Sequence, residues 1–296
     1  MLTSIALILL LGLGAGWLFS KLKLPSLLGM ILVGILISPH CLNLLDDSIL
    51  LISGEIRQIA LVIILTRAGL SLNIADLKKV GRPAVLMCFV PACIEMIGTI
   101  VFAPLLLGVS VLDAAIIGSV VAAVSPAVVV PRMIKLMEEG YGIRQSIPQL
   151  ILAGASVDDV FVIVVFTALT TLASTGTVSV SNFLQIPTAI CLGILLGIIV
   201  GEALVLFFHK CHIRDSVKVL IVLSVSFLML ELQNQLEGII AVSGLLAIMS
   251  MGIVINQKYD TLARSLSAKY NKLWLGAEVF LFVLVGATVD LKYVAL

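Results

Sequence analysis

Residues 147–166 read IPQLILAGASVDDVFVIVVF, an apolar stretch long enough to cross a bilayer that carries two adjacent carboxylates, Asp158 and Asp159. A transmembrane helix needs about 20 predominantly apolar residues. A carboxylate at membrane depth costs about 2.5–3.5 kcal/mol on insertion scales, and two neighbouring ones also repel each other. Such a pair persists where it faces water, a cation or a fixed positive charge. The stretch therefore predicts a cation or proton site within a spanning helix.

The rest of the chain has the composition of a membrane protein. Of 296 residues, 61% are hydrophobic and 12% are charged, and the mean hydropathy is +1.24. Soluble domains carry about 25% charged residues, so the composition excludes a soluble enzyme. The apolar residues form long runs rather than the alternation of a transmembrane β-barrel, and we predict an all-α polytopic bundle. A net charge of +1 offers no basic surface to a nucleic acid.

Ten apolar segments are separated by polar or turn residues, and we predict that each spans the lipid bilayer. They form a single transmembrane domain over residues 1–296, with no soluble domain. The segments cover residues 2–20, 25–39, 50–71, 83–107, 112–136, 146–173, 184–208, 217–232, 238–255 and 272–290.

The basic residues alternate between the two sides of this predicted bundle. Of 18 Lys and Arg residues, only Arg57, Arg67 and Lys292 lie outside the loops that follow segments 1, 3, 5, 7 and 9 and the flanks of those loops. Cytoplasmic loops are enriched in Lys and Arg. The pattern therefore predicts that the odd-numbered loops are cytoplasmic and that the N-terminus lies outside. Separately, we expect the membrane to be the plasma (inner) membrane.

The fifth segment contains SPAVVVP at residues 125–131, and its two prolines predict a break in the helix. Pro126 and Pro131 each remove a backbone donor and clash one turn back, so we expect the break near residues 125–130. Ser125 lies roughly 20 Å along its segment and Asp158 roughly 18 Å along the next, which enters from the other side. Both features are therefore predicted at the membrane midplane, close to each other.

A broken helix beside a carboxylate pair can bind a cation. Freed carbonyl groups and half-helix ends coordinate ions, and an Asp can exchange the ion for a proton. Side chains at adjacent positions diverge by about 100° around a helix, so one Asp can face the ion while the other faces the break. The expected ion ligands are Asp158, Asp159, Ser125 and Ser156. The alternatives are a plain proline kink and an Asp that pairs with a cation on another helix.

Further ionisable residues lie within the predicted segments. Glu95 is either a protonated side chain bonded to a backbone carbonyl, or part of a buried salt bridge or relay. Arg67 is expected to be a snorkelling or helix-end cation. Glu202 and Glu278 are weaker candidates for an ion pathway.

These motifs resemble a known family. SPAVVVP at 125–131 followed by GASVDDV at 154–160 is similar to the monovalent cation/proton antiporter superfamily, most closely to the NHA-type branch of sodium/hydrogen exchangers. PSLLGMILVGIL at 25–36 and RAGL at 67–70 resemble the early helices of that family. The resemblance extends over all ten segments.

The resemblance implies an antiporter fold of about thirteen helices with inverted repeats, a dimerisation domain and a mobile core domain. It implies a homodimer that exchanges Na⁺ or Li⁺ for H⁺ by an elevator-like movement. Asp159 matches the principal ion-binding aspartate, and Asp158 matches its helix-break or proton-linked partner. Glu95 matches an acidic residue that pairs with an arginine on a later helix. Because members of the family continue for about three more helices, we expect the chain to be truncated at its C-terminus.

We therefore expect a secondary active transporter in which Na⁺ or Li⁺ and H⁺ compete for one aspartate pair, with no cofactor and no enzymatic activity. The alternatives are K⁺ efflux or channel-like transport on the same scaffold, and a membrane sensor that binds ions without moving them. An intramembrane aspartyl protease needs two aspartates from separate helices, a geometry that adjacent positions on one helix cannot provide.

Overall fold

The computed structural model describes residues 1–72, 81–175, 181–211, 213–236 and 240–290, and these residues are almost entirely helical. A 3₁₀ turn, Ile143–Gln145, precedes α9. The helices are α1 (Leu2–Lys21), α2 (Ser26–Ile37), α3 (Asp47–Leu51), α4 (Ser53–Ser71), α5 (Arg82–Met87), α6 (Val90–Leu107), α7 (Val111–Val121), α8 (Pro126–Glu138), α9 (Ile147–Thr175), α10 (Ser181–Lys210), α11 (Asp215–Leu236), α12 (Gly244–Lys258) and α13 (Asp260–Ala287).

Within the described ranges, five spans are long and apolar enough to cross a membrane. They are α1, α5 with α6, α7 with α8, residues 186–210 of α10, and α13. The helices α2 and α12 are also apolar but shorter. The chain is thus an integral, multi-pass membrane protein of the all-α class, as its composition predicts.

Every predicted segment overlaps a described helix, but the third, fourth and fifth are each interrupted. Segment 83–107 divides into α5 and α6 at Cys88 and Phe89. Pro91 lies in the first turn of α6. A backbone N–H at this position has no intrahelical acceptor, so a proline there costs no hydrogen bond. The proline therefore starts a new helix instead of continuing the old one.

The last two segments also differ from their predicted bounds. The ninth begins at Gly244 rather than at residue 238, and the Ser243 hydroxyl caps it by accepting the Leu246 N–H at 3.3 Å. The tenth begins at Asp260 rather than at residue 272. Residues 260–271 are too polar for a spanning segment, yet Leu262, Ala263 and Leu266 are buried at helical spacing. A buried stripe of that spacing stabilises a helix outside the lipid as well.

The chain forms two compact units. The first comprises Met1–Ile63 with the described part of Tyr270–Leu296. Its helices approach closely at glycines. A Cβ at Gly12 would lie 2.6 Å from the Val279 side chain, and a Cβ at Gly34 would collide with the backbone of Val283. Small residues at such crossings let helices pack by van der Waals contact in a membrane.

The second unit, Ile64–Lys269, contains the predicted ion-binding residues. Its centre is α12, in which eleven of fifteen residues are buried. Gly197 of α10 and Gly69 of α4 pack against the α12 backbone, at Ala247 and at Met249 and Gly252 respectively. The helices α5 to α9 surround the non-helical residues 122–125, which separate α7 from α8. This helix break is the candidate site.

Candidate ion-binding site

The fifth predicted span is broken in the structure, slightly earlier than the sequence predicts. Helix α7 ends at Val121, and α8 begins at Pro126. Residues 122–125 are not helical, and Ser125 has an extended conformation, with φ −68° and ψ 112°. Pro126 occupies the first turn of α8, a position suited to its fixed φ and missing N–H. The break therefore lies at residues 122–125 instead of 125–130.

Pro131 does not break the helix, contrary to the prediction. It lies inside α8, which continues to Glu138. A proline within a helix costs one hydrogen bond and strains the preceding turn, and neighbouring helices in a membrane protein tolerate this. Only the first of the two prolines therefore marks the interruption.

Asp158 of α9 reaches this break. Its side chain is 3% exposed, and its Oδ2 atom accepts the backbone N–H of Val124 at 3.0 Å. The break leaves N–H groups without an intrahelical partner, and a buried group of this kind requires an acceptor. The carboxylate of Asp158 supplies that acceptor and joins α9 to the non-helical segment, as expected if one Asp faces the break.

The remaining predicted ligands lie around this contact. Ser125 is the N-cap residue of α8, yet its hydroxyl makes no capping hydrogen bond, and the residue is exposed. Ser156 and Asp159 lie on α9 beside Asp158, but their side chains fall outside the described residues. Their role as ligands stays a prediction.

Glu95 lies on α6 and is exposed. Among the described residues, its carboxylate makes no hydrogen bond or ion pair; only its backbone carbonyl is engaged, by the Thr99 hydroxyl at 2.9 Å. Neither predicted arrangement, a carbonyl-bonded Glu or a salt bridge, occurs within the described part of the chain.

An apolar cluster lies beside the Asp158 contact. It comprises Ala92 and Met96 of α6, Ala122 at the break and Val162 of α9. Phe161 packs against the cluster and meets Phe89 edge to face, with ring centroids 5.3 Å apart. Low polarity strengthens every electrostatic interaction in its neighbourhood. The buried carboxylate is therefore sensitive to whether a cation or a proton neutralises it.

Sequence reasoning missed two contributors to this region. Val124 takes part through its backbone N–H alone, which every residue except proline possesses, so no side-chain pattern could identify it. The Cys88–Phe89 interruption was missed because residues 83–107 read as one apolar run; the first-turn proline, Pro91, was the available signal.

Other candidates have simpler explanations. Glu202 pairs with Lys258, with Oε1 and Nζ 2.6 Å apart at a partly exposed site, so a pathway role is not needed to account for it. No group of three or more His, Cys, Asp or Glu side chains suited to a metal ion occurs in the ranges that the structure describes.

Residues 5–295 match the family model described as "Sodium/hydrogen exchanger, transmembrane". The sodium proton antiporter MjNhaP1 from Methanocaldococcus jannaschii, solved at pH 8, superposes with a TM-score of 0.79 at 22% identity. The match covers 98% of this chain and 71% of that one, and it shows that the fold is an antiporter fold, as predicted.

Curated relatives agree with this assignment. Sodium/hydrogen exchanger 9B2 of Mus musculus is 31% identical over 275 residues, which cover 90% of this chain and 49% of that protein. Sodium/hydrogen exchanger 9B1 of Homo sapiens is 31% identical over 279 residues, which cover 91% and 52% respectively. This chain spans about half the length of these relatives. It belongs to the sodium/hydrogen exchanger family, and the predicted relation to the monovalent cation/proton antiporter superfamily is confirmed.

Proposed function

We propose that the protein is a secondary active transporter that exchanges Na⁺ or Li⁺ for H⁺ at the Asp158–Asp159 pair. The observation that carries the proposal is the hydrogen bond from the Val124 N–H to the buried Asp158 carboxylate. It brings a membrane-depth acid to an interrupted helix, the arrangement with which discontinuous helices bind transported ions. Membership of the exchanger family supports the same conclusion.

The proposed mechanism is competition at one site. Asp158 is held by the break, and Asp159, about 100° further around the helix, is the principal ion ligand. Oxygen atoms of Ser125 and Ser156 complete the site for a hard cation, which prefers oxygen ligands. The two carboxylates titrate as a coupled pair, and protonation of the pair releases the cation. The ions are substrates, and the cycle requires no cofactor.

The whole-protein setting is part of the proposal. The transporter forms one transmembrane domain and works as a homodimer in the plasma membrane, with its N-terminus outside. The alternation of Lys and Arg between loops supports this orientation. The apolar residues exposed along α1, among them Leu10 and Trp17, are suited to contact with lipid or with a second copy.

Exchange measured in proteoliposomes tests the proposal. We expect the wild type to take up ²²Na⁺ when an outward proton gradient is imposed, and uptake to saturate with Na⁺ and to cease with a protonophore. Asp159→Asn should abolish uptake, because an amide carries no charge to hold the cation. Asp113→Asn is the matched control, since Asp113 lies at the start of α7, where it bonds Ser110 at 2.6 Å, away from the break.

Three outcomes would contradict this assignment. Full exchange by Asp159→Asn would remove the aspartate from the mechanism. Uptake that is insensitive to the proton gradient and does not saturate would favour channel-like transport on the same fold, while saturable binding without uptake would favour a sensor.

A further inference from the structure

Arg67 is a buried cation near the cytoplasmic end of α4, where the sequence predicts only a snorkelling or helix-end residue. It is 6% exposed, and its Nη2 atom lies 3.3 Å from Oε1 of Glu138. Glu138 is the last residue of α8 and is 64% exposed. The ion pair thus joins α4 to the end of α8 that lies furthest from the break.

The end of α4 that carries Arg67 packs closely against neighbouring helices. A Cβ at Gly69 would lie 3.0 Å from the Gly252 Cα atom of α12. The Asn256 side chain of α12 donates to the Leu72 carbonyl at 2.8 Å, and the hydroxyls of Ser71 and Ser267 lie 3.3 Å apart. Arg67 therefore projects from a part of α4 that is fixed to its neighbours.

Helix α8 is accordingly tethered near both ends. At its start, the adjoining break is held by the Val124–Asp158 hydrogen bond, and at its end Glu138 is held by Arg67. A helix of thirteen residues is a rod roughly 20 Å long, so a shift at one end moves the other.

We propose that Arg67 and Glu138 are positioning residues for the cation site. Their ion pair sets the position of α8, and therefore the position of the helix break relative to the aspartate pair. This inference rests on the proposed function, since it concerns the same site. It predicts that loss of the pair loosens the break and weakens cation binding, while the maximal exchange rate changes less.

The helix offers a matched control one residue away. Glu139 also pairs with a base, Lys135, at 3.6 Å, but that partner lies on α8 itself. Glu139→Gln therefore removes the same charge without releasing α8 from α4. Glu138→Gln removes the tether and alters a largely exposed side chain, so the variant should fold even if Arg67 variants do not.

Amide hydrogen exchange followed by mass spectrometry gives a readout that does not require transport. In the peptide that contains residues 122–125, we expect Glu138→Gln to increase the rate of amide hydrogen exchange about two- to fivefold. This factor corresponds to the free energy that a partly exposed ion pair contributes. Glu139→Gln should leave the exchange rate at the wild-type value. The charge-reversed pair, Arg67→Glu with Glu138→Arg, should restore much of the protection.

Transport then supplies the functional half of the test. In the proteoliposome assay we expect Glu138→Gln to raise the KM for Na⁺ by about the same two- to fivefold factor, with the maximal rate within about twofold. Equal hydrogen exchange in Glu138→Gln and Glu139→Gln would overturn the inference, as would a charge-reversed pair that folds without restoring protection. If the wild type transports no Na⁺, the proposed function is refuted. The positioning role is still tested in that case, because amide hydrogen exchange does not depend on transport.

Discussion

At the scale of single residues, the proposed mechanism gives Asp158 two separable tasks. The Val124 N–H needs a hydrogen-bond acceptor, whereas a cation needs negative charge. A neutral amide oxygen can meet the first need and not the second. The structural and the ionic roles of this side chain can therefore be measured independently.

Thermal unfolding in detergent distinguishes the two roles. We expect Asp158→Asn to unfold at nearly the wild-type temperature, because its amide oxygen can still accept the Val124 N–H. Asp158→Leu should lose about 1–3 kcal/mol of stability, the cost of leaving a buried donor unsatisfied. Equal destabilisation of both variants would show that the break depends on the charge of Asp158 and not on its hydrogen bond.

The sequence predicts part of this site for a clear physical reason. Carboxylates and prolines within apolar segments are costly and conspicuous, so Asp158, Asp159 and Pro126 stand out. The depth argument also brought Ser125 and Asp158 to the same region, where the structure joins Val124 to Asp158. The pattern could not show that Pro131 would be accommodated inside α8, because tolerance of a proline depends on neighbouring helices.

At the scale of helices, glycine spacing explains how α12 is buried. Gly193, Gly197 and Gly201 of α10 recur every four residues and face α12. At Gly197, a Cβ would lie 2.6 Å from the Ser250 side chain and would collide with the Ala247 carbonyl oxygen. The two backbones therefore approach each other more closely than any larger residue would permit.

A pair of alanine substitutions tests this packing. Gly197→Ala should destabilise the protein by about 1–3 kcal/mol, because the added methyl group overfills the interface. Gly98→Ala in α6 has nothing within 4 Å of the new methyl group, and higher helix propensity should make it neutral or stabilising by up to about 1 kcal/mol. Unfolding temperatures that change equally in the two variants would contradict the proposed close packing.

Hydropathy predicted the helices well where they are apolar and poorly where they are not. The first turns of α13 carry Asp260 and Arg264, which pair at 2.8 Å, and this polar surface concealed three turns of helix from the sequence pattern. Before α12, residues 238–243 are as apolar in sequence as the helix that follows, so nothing in the hydropathy pattern marks the start at Gly244.

At the scale of the whole molecule, long apolar segments and turn residues were sufficient to predict an all-α membrane protein, and the antiporter superposition confirms the fold. The alternation of basic residues predicts that the loops after the third and fifth segments share the cytoplasmic side. The contact between Arg67 and Glu138, near the ends of those two segments, places both ends on the same side. That this side is cytoplasmic stays a prediction. The pairing itself could not be predicted, because it depends on how α4 and α8 pack.

The most direct measurement of the central claim is the dependence of Na⁺ affinity on pH. If Na⁺ and H⁺ compete for the aspartate pair, the apparent KM for Na⁺ should rise as the pH falls, by up to about tenfold per pH unit for each competing proton. The rate at saturating Na⁺ should change far less over the same range. A KM that stays constant across the pH range in which exchange is active would contradict the account.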